Sequence, residues 1–477
     1  MFSLGALLRS RECGLFSLGE GRHIVTTIKQ FLCGATVAGL VAGTGAVIGA
    51  PLSVLHSADW WLAAEHVLLI GTDGTNLSKI LQYADNDGSG FKTAMDGGIT
   101  GAANEVGHTT ISGPSWSTIL TGVWDTKHGV INNLFNPEPY NQWPTVFNLL
   151  EHYNPAINTS VIADWDYIND IGKAGGTGAD SSTYIPFDTT WANTDAQVTA
   201  ATIAQIMATK DSPDISNFLF SYQVQVDEAG HGFGGGSPEY AEAVQNVGVN
   251  IQQILAAVAA VKALTGDDWS VIITTDHGHQ QSLGFGHGFQ SPNETQQFVI
   301  FDQAGEHTTD GSQNLNYSIA DITPTILALF GAPMRSDFDG KSMIDDPSIL
   351  DSLVRPVNLE QALSDAMSLV GYPNIGDDIT LAIRTVFTSI PYFIDKAVTQ
   401  LSDYLQGIVD QDIFLVSGLA EAAQQVVQFV GGLGVDATEA LAQVVAHMTG
   451  VGTIEPTDPP LSAEFTDAWS LLGLDPS

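Results

Sequence analysis

HVLLIGTDG, residues 66–74, decides the fold. It opens with a short aliphatic run without alternation, which stops at Asp73-Gly74. Such a run reads as a strand buried on both faces, and Asp73 at its carboxyl end stands where open α/β sheets hold their ligands. The pattern recurs outward from it. Residues 160–164 (SVIAD), 217–226 (NFLFSYQVQV), 269–275 (WSVIITT) and 298–301 read as further strands, and two of them stop at Asp227 and at Asp276-His277. Residues 143–152, 194–210 and 237–264 are patterned as helices. The last is opened by Pro238, with Val244, Val247, Ile251, Ile254 and Leu255 near one face. Residues 321–330 read as a helix opened by an Asp cap, and the polar, Gly-rich residues 80–108 as a loop over the sheet edge. The alternation predicts an α/β fold: a doubly wound, mainly parallel sheet flanked by helices.

Beyond residue 350 the strand-like runs vanish. Leu359, Leu363, Ala366 and Val370 share a helical spacing, and helical stretches are expected at 377–389, 391–409, 412–430 and 436–448. The domain reading is therefore a catalytic domain over 51–349, a C-terminal all-helical accessory unit over 350–450, and a loose Pro-containing tail over 451–477. The accessory unit either packs an apolar face on the main domain or meets a partner. At the other end, Arg9, Arg11, Arg22 and Lys29 precede the uncharged run at 30–50. A basic lead before an apolar run reads as a signal peptide or membrane anchor over 1–50, with possible membrane association through 30–50. The expected address is secreted or cell-envelope associated.

The chain carries 53 acidic against 15 Lys and Arg residues, a net charge of -38. That field repels polyanions and argues against a nucleic-acid-binding surface. An anionic substrate would need local positive charge, which metal ions supply. Cys13 and Cys33 are the two cysteines. A mature domain starting after residue 50 has none, which leaves carboxylate, imidazole and hydroxyl as metal ligands.

The stretch 109–133, TTISGPSWSTILTGVWDTKHGVINN, holds Ser112 before Gly113-Pro114 and a short helical run. Pro suits the first helical position, so Ser112 is expected just outside a helix N-terminus, where negative charge is favoured. Ser before Gly-Pro is on its own an ordinary turn or cap. Its company changes the reading: Asp227 and His231 stand four apart, Asp276-His277 end a strand, and His287 lies between two glycines. Three carboxylates and three imidazoles suffice for two divalent ions with open positions, and these ligand types suit Zn but also Mn, Fe or Co. His108 and His279 read as structural, and Thr110 is the second candidate nucleophile.

In order, Asp73-Gly74, Ser112-Gly113-Pro114 with Thr121-Gly122, His128-Gly129 with Asn133, Asp227–His231, Asp276-His277-Gly278, His287-Gly288 and Asp321-Ile322-Thr323-Pro324-Thr325 make a set of motifs spanning roughly 66–345. The set resembles the alkaline phosphatase superfamily, and most of all its nucleotide pyrophosphatase/type I phosphodiesterase branch. The resemblance implies an alkaline-phosphatase-like fold and two divalent metal ions, most of all Zn. One would be held by Asp73, Asp276, His277 and the Ser112 oxygen, the other by Asp227, His231 and His287. It implies that Ser112 is the nucleophile of a phosphoseryl mechanism, that Asn133 with the Gly113 N–H binds a phosphoryl oxygen, and that the substrate is a small phosphodiester. His128 would orient its loop. Ser112 and Ser115 stand where the branch usually has Thr and Asn, and Trp116 also departs from it. Trp116 and Trp165 are the candidate pocket residues. A sulfatase would need Arg at the Trp116 position. The alternatives are a phosphomonoesterase or phosphonate-ester hydrolase on the same frame, or a non-catalytic cell-envelope binding protein.

Overall fold

HVLLIGT forms strand β1 (His66–Thr72), near the middle of a nine-stranded sheet. The computed structural model describes residues 65–83, 88–284, 286–354, 356–369, 374–411, 413, 416–459 and 461. The N-terminal expectation for 1–50 lies outside these. The other strands are β2 (Ile99–Asn104), β3 (Asn158–Ala163), β4 (Ser181–Tyr184), β5 (Asn217–Gln223), β6 (Trp269–Thr274), β7 (Gln296–Asp302), β8 (Ser312–Asn314) and β9 (Leu353–Val354), in the order β4-β3-β5-β1-β6-β7-β2-β8-β9. From β4 to β6 every pairing is parallel. β7 runs antiparallel to both β6 and β2. The sheet is thus mixed and mostly parallel, flanked by helices.

Residues of β1 divide alternately between two cores. Val67 and Leu69 pack with Trp116, Phe218 and Phe220, whereas Leu68 and Ile70 pack with Leu219, Val244, Ile251 and Phe298. A strand covered on both faces has no polar side, hence the unbroken aliphatic run. Helix Pro238–Thr265 lies on the second face, capped by Ser237, whose hydroxyl accepts from the Tyr240 N–H.

Four local expectations change. The stretch 80–108 is no simple loop: it holds a helix at Gly90–Gly97 and then β2, in the body of the sheet. β2 (ITGAAN) has weak strand propensity, and Gly101 is required by its neighbour, since a Cβ there would stand 2.0 Å from the Tyr317 ring. Strand β5 ends at Gln223, and Asp227 lies in a helix, Gln225–Phe233, that also carries His231. The C-terminal stretches fuse into two long helices, Ile375–Val409, which runs through Pro391, and Val416–Met448. They form a hairpin, with Gln424 and Gln428 of one donating to Ser402 of the other. Pro391 cannot supply its helical N–H, yet the helix continues through it. Nor is the tail loose where described: Gly452 N–H donates to the Asp125 carbonyl, and Asp458 accepts from Ser336.

Candidate active site and metal centre

The site gathers at the carboxyl ends of β1, β5 and β6. Ser112 is the first residue of the Ser112–Thr121 helix rather than the residue before it, and Pro114 is the third. The first turn leaves its N–H groups without helical partners, so Pro costs nothing there either. Three oxygens surround Nε2 of His277: Ser112 Oγ at 3.1 Å, Asp276 Oδ2 at 3.2 Å and Asp73 Oδ1 at 3.8 Å. His277 Nδ1 faces the Gly278 carbonyl at 3.2 Å, which favours a proton on Nδ1 and leaves Nε2 bare.

The second group centres on Asp227. His231 Nε2 stands 3.3 Å from Asp227 Oδ2, and His287 Nε2 3.8 Å from Asp227 Oδ1. The two imidazole Nε2 atoms are 3.2 Å apart. His287 Nδ1 faces the Thr110 carbonyl at 2.8 Å, so its Nε2 too points into the site. His279, read as structural from the sequence, belongs here: its Nε2 lies 2.6 Å from Asp227 Oδ1, and it joins Asp227, His231 and His287 in one ligand-type cluster. Asp73, Asp227 and His277 form the other cluster, so Asp227 touches both. His279 was visible in the string Asp276-His277-Gly278-His279, where the first His is pointed at one group and the second at the other.

Electrostatics matches these contacts. Burial, and then the Asp227 charge, push Asp73 up to about 8. Burial and Asp73 hold Asp276 well above the usual carboxylate range. Burial also acts on Asp227, but the His231 and His279 imidazoles hold its carboxyl well below that range. Beside Asp227, His231 is raised to about 9. Burial lowers His277 to about 3 and holds His287 down. Asp73 Oδ1 and Asp276 Oδ2 are buried without a hydrogen-bond partner, both near bare His277 Nε2. Convergent lone pairs with no donor among them fit a divalent cation.

The support around these groups is specific. Asp73 Oδ2 accepts from the Trp116 indole at 2.7 Å and the Tyr222 hydroxyl at 2.5 Å. Trp116 is therefore not a cavity residue: it is wholly buried beneath the site and orients Asp73. Gly74 has φ +63°, and a Cβ there would meet Asp227 Oδ1 at 2.7 Å. Ser115 donates to Glu105 at 2.8 Å, and Gln297 donates both to Glu105 and to the Asp276 carbonyl. Glu105 is a positioning group hidden in the stretch read as a loop. Burial raises its carboxyl well above the ordinary range.

Asn133 Oδ1 accepts the Gly113 N–H at 2.7 Å. The two are thus engaged with one another, which corrects the expectation that both contact a phosphoryl oxygen. Thr110 Oγ1 accepts from Gly288 N–H at 3.1 Å and is fully buried, a poor position for a nucleophile. His128 accepts from the Val130 N–H and contacts Thr118 at 3.1 Å, holding its loop. Ser112, Asp73, Asp227, His231, His287 and Asn133 line one cavity of about 560 Å³, together with Trp165. Trp165 stacks on Tyr167 with ring centroids 4.7 Å apart.

Residues 67–289 match the family model of type I phosphodiesterase / nucleotide pyrophosphatase. This is the branch the ordered motifs resemble, and its name denotes hydrolases of phosphoric ester bonds. A 2,3-bisphosphoglycerate-independent phosphoglycerate mutase of Synechocystis sp. is 28% identical over 131 residues, 26% of this chain. The chain spans about a quarter, 24%, of that relative's length. Among solved structures, a phosphonate monoester hydrolase from Silicibacter pomeroyi is similar over 59% of this chain and 76% of its own, at 14% identity and TM-score 0.43. A 2-O GAG sulfatase is similar over 61% and 75%, at 13% identity and TM-score 0.44.

Proposed function

We propose that the chain is a metal-dependent hydrolase of phosphodiesters, a phosphodiesterase or nucleotide pyrophosphatase working through a phosphoseryl intermediate. The observation that carries this reading is the convergence of Ser112 Oγ, Asp73 Oδ1 and Asp276 Oδ2 on bare His277 Nε2, within the segment that matches the phosphodiesterase family. Asp73, Asp276, His277 and Ser112 would hold one divalent ion; Asp227, His231 and His287, with His279 against Asp227, would hold a second. Zn suits both donor sets. Bound cations would supply Lewis acidity, favouring the ionised nucleophile and stabilising charge on the phosphoryl oxygens.

The chain's own residues do the rest. Ser112 Oγ presents its lone pairs at the start of a helix, where the backbone N–H groups favour negative charge. It attacks phosphorus, the P–O bond to one ester oxygen breaks, and the alcohol departs with a proton. Water then attacks phosphorus, the bond to Ser112 breaks, and the Ser112 oxygen leaves with one of the water's protons, regenerating its hydroxyl and releasing the phosphomonoester. The Asn133 NH2 orients a non-bridging oxygen.

Two features support diesters over monoesters. Lys396 is the one Lys or Arg lining the cavity among the described residues. Arg384, the buried guanidinium nearby, is engaged with Asp125 at 2.9 Å. Two divalent cations would balance three carboxylates and one alkoxide, which suits a monoanion better than a dianion. The basic and then apolar N-terminal segment supports a secreted or envelope address, and the net charge supports a small substrate over a polyanion. The test compares the Zn-loaded chain on bis(4-nitrophenyl) phosphate and on 4-nitrophenyl phosphate. Preference for the diester is expected. Monoester preference would move the reading to a phosphomonoesterase, and a protein that takes up no added Zn and turns over neither ester would favour the binding-protein alternative.

A further inference from the structure

The cavity, about 560 Å³, is far larger than a phosphoryl group requires, and the surplus is apolar. Much of its wall comes from helix Ile375–Val409, outside the family-matched residues 67–289. That helix is fixed to the loops of the site. Buried Arg384 bonds Asp125 and Thr109, the Thr385 hydroxyl donates to the Gly288 carbonyl at 2.6 Å, and Asn132 donates to the Thr388 carbonyl at 3.1 Å. The next turns bring Val386, Ile390 and Phe393 to the cavity, with Trp165, Tyr222 and Val224. The first three continue a row. Ile379, Ile383, Val386, Ile390 and Phe393 recur at alternating spacings of four and three, one face of a helix. All five are partly or well exposed, from 36% at Ile390 to 64% at Phe393. An apolar track therefore leads from open surface to the phosphoryl site.

Two polar groups at the inner end of this wall are already engaged. Asn132 bonds the Thr388 carbonyl and Glu439, and Asn133 Oδ1 is bonded to Gly113. A nucleobase laid along the Ile379–Phe393 row would meet no partner there for its hydrogen-bonding edges, at a cost when they are buried. An aliphatic chain needs only apolar area. Resting on the phosphodiesterase reading above, we infer that the substrate is an amphiphilic phosphodiester whose aliphatic substituent lies along the Ile379–Phe393 track while its phosphate meets Ser112.

The test uses the full, Zn-loaded chain and a series of 4-nitrophenyl alkyl phosphodiesters, methyl to octyl, below their micelle-forming concentrations, beside 4-nitrophenyl thymidine 5′-phosphate. A fully buried methylene is worth about fourfold in binding. Half-exposed on this track it is expected to give about twofold, so kcat/KM rises by roughly a hundredfold over the seven methylenes from methyl to octyl, mainly through KM. The octyl ester is expected to exceed the thymidine ester. Ile390→Asp is expected to flatten the rise, with its thermal melt confirming folding; the wild-type series decides the matter even where that variant fails to fold. A flat series with clear methyl-ester turnover, or preference for the thymidine ester, overturns this inference alone. No turnover of any diester overturns the phosphodiesterase reading and this one with it.

Discussion

The carboxyl edge of the sheet and the C-terminal helical hairpin stand in opposite relations to water. At the sheet edge, charged and polar side chains are buried: Asp73, Asp276, His277 and His279 have almost no exposure. On the hairpin, Phe393, Leu419, Phe429 and Met448 are exposed. Each region breaks the ordinary rule of polar outside and apolar inside, and the informative residues are those that break it. Buried carboxylate oxygens without donors, Asp73 Oδ1 and Asp276 Oδ2, call for a cation; an exposed apolar row calls for an apolar ligand or surface. The hairpin meets the site loops through polar contacts, Arg384 to Asp125 above all, and through a small apolar cluster of Ala442 and Ala446 with Ile131, while Leu359, Leu363 and Met367 of the preceding helix pack into the sheet's core.

That contrast can be broken at several points. The largest effect is expected at the sheet edge. Ser112→Ala should lower kcat on the diester by on the order of ten-thousand-fold, with metal content largely retained, as checked by steady-state kinetics and elemental analysis. At the junction, Arg384→Met leaves Asp125 buried without its guanidinium and should cost about 3–5 kcal/mol, read by denaturant unfolding. His279→Asn removes the contact that orients Asp227 and should weaken metal affinity by about 10–100-fold, measured by competition with a chelator. An unchanged affinity would return His279 to a structural role.

The smallest effect lies further along the same sheet edge, outside the ligand cluster. Asp164 and Asp195 are a buried carboxyl pair, with Gln225 donating to Asp195. Burial and the facing Asp195 hold Asp164 well above the ordinary range, and burial raises Asp195 to about 6. Raised folded values mean that the folded chain binds more protons than the unfolded one above about pH 4. Stability from this pair is therefore present at low pH and falls as pH rises through about 6 and beyond. Asp164→Asn should flatten the fall by about 1 kcal/mol, seen in melting curves between pH 5 and 8; a steeper fall in the variant would contradict the assignment.

Sequence made the sheet edge readable because its chemistry is local. Each strand ends in its own short motif, and the residue types at Asp73, Asp227, Asp276, His277 and His287 announce ligands wherever the chain brings them. What stayed hidden depends on distant partners. β2 is a strand because Tyr317 and β7 accept its glycine and alanines, not through its own propensity. Trp116 resembled a pocket residue until its indole was found bonded to Asp73 beneath the site. The engagement of Asn133 with Gly113, and the reach of Arg384 across 259 residues to Asp125, are likewise properties of the folded chain.

The most direct test of the central claim is a metal titration of turnover. The chelator-treated chain is given increasing Zn while hydrolysis of bis(4-nitrophenyl) phosphate is followed, with bound Zn measured in parallel. The expected result is activity absent without metal, rising with bound Zn to two ions per chain and then level. Full activity after chelation, or bound Zn that leaves diester turnover unchanged, would contradict it.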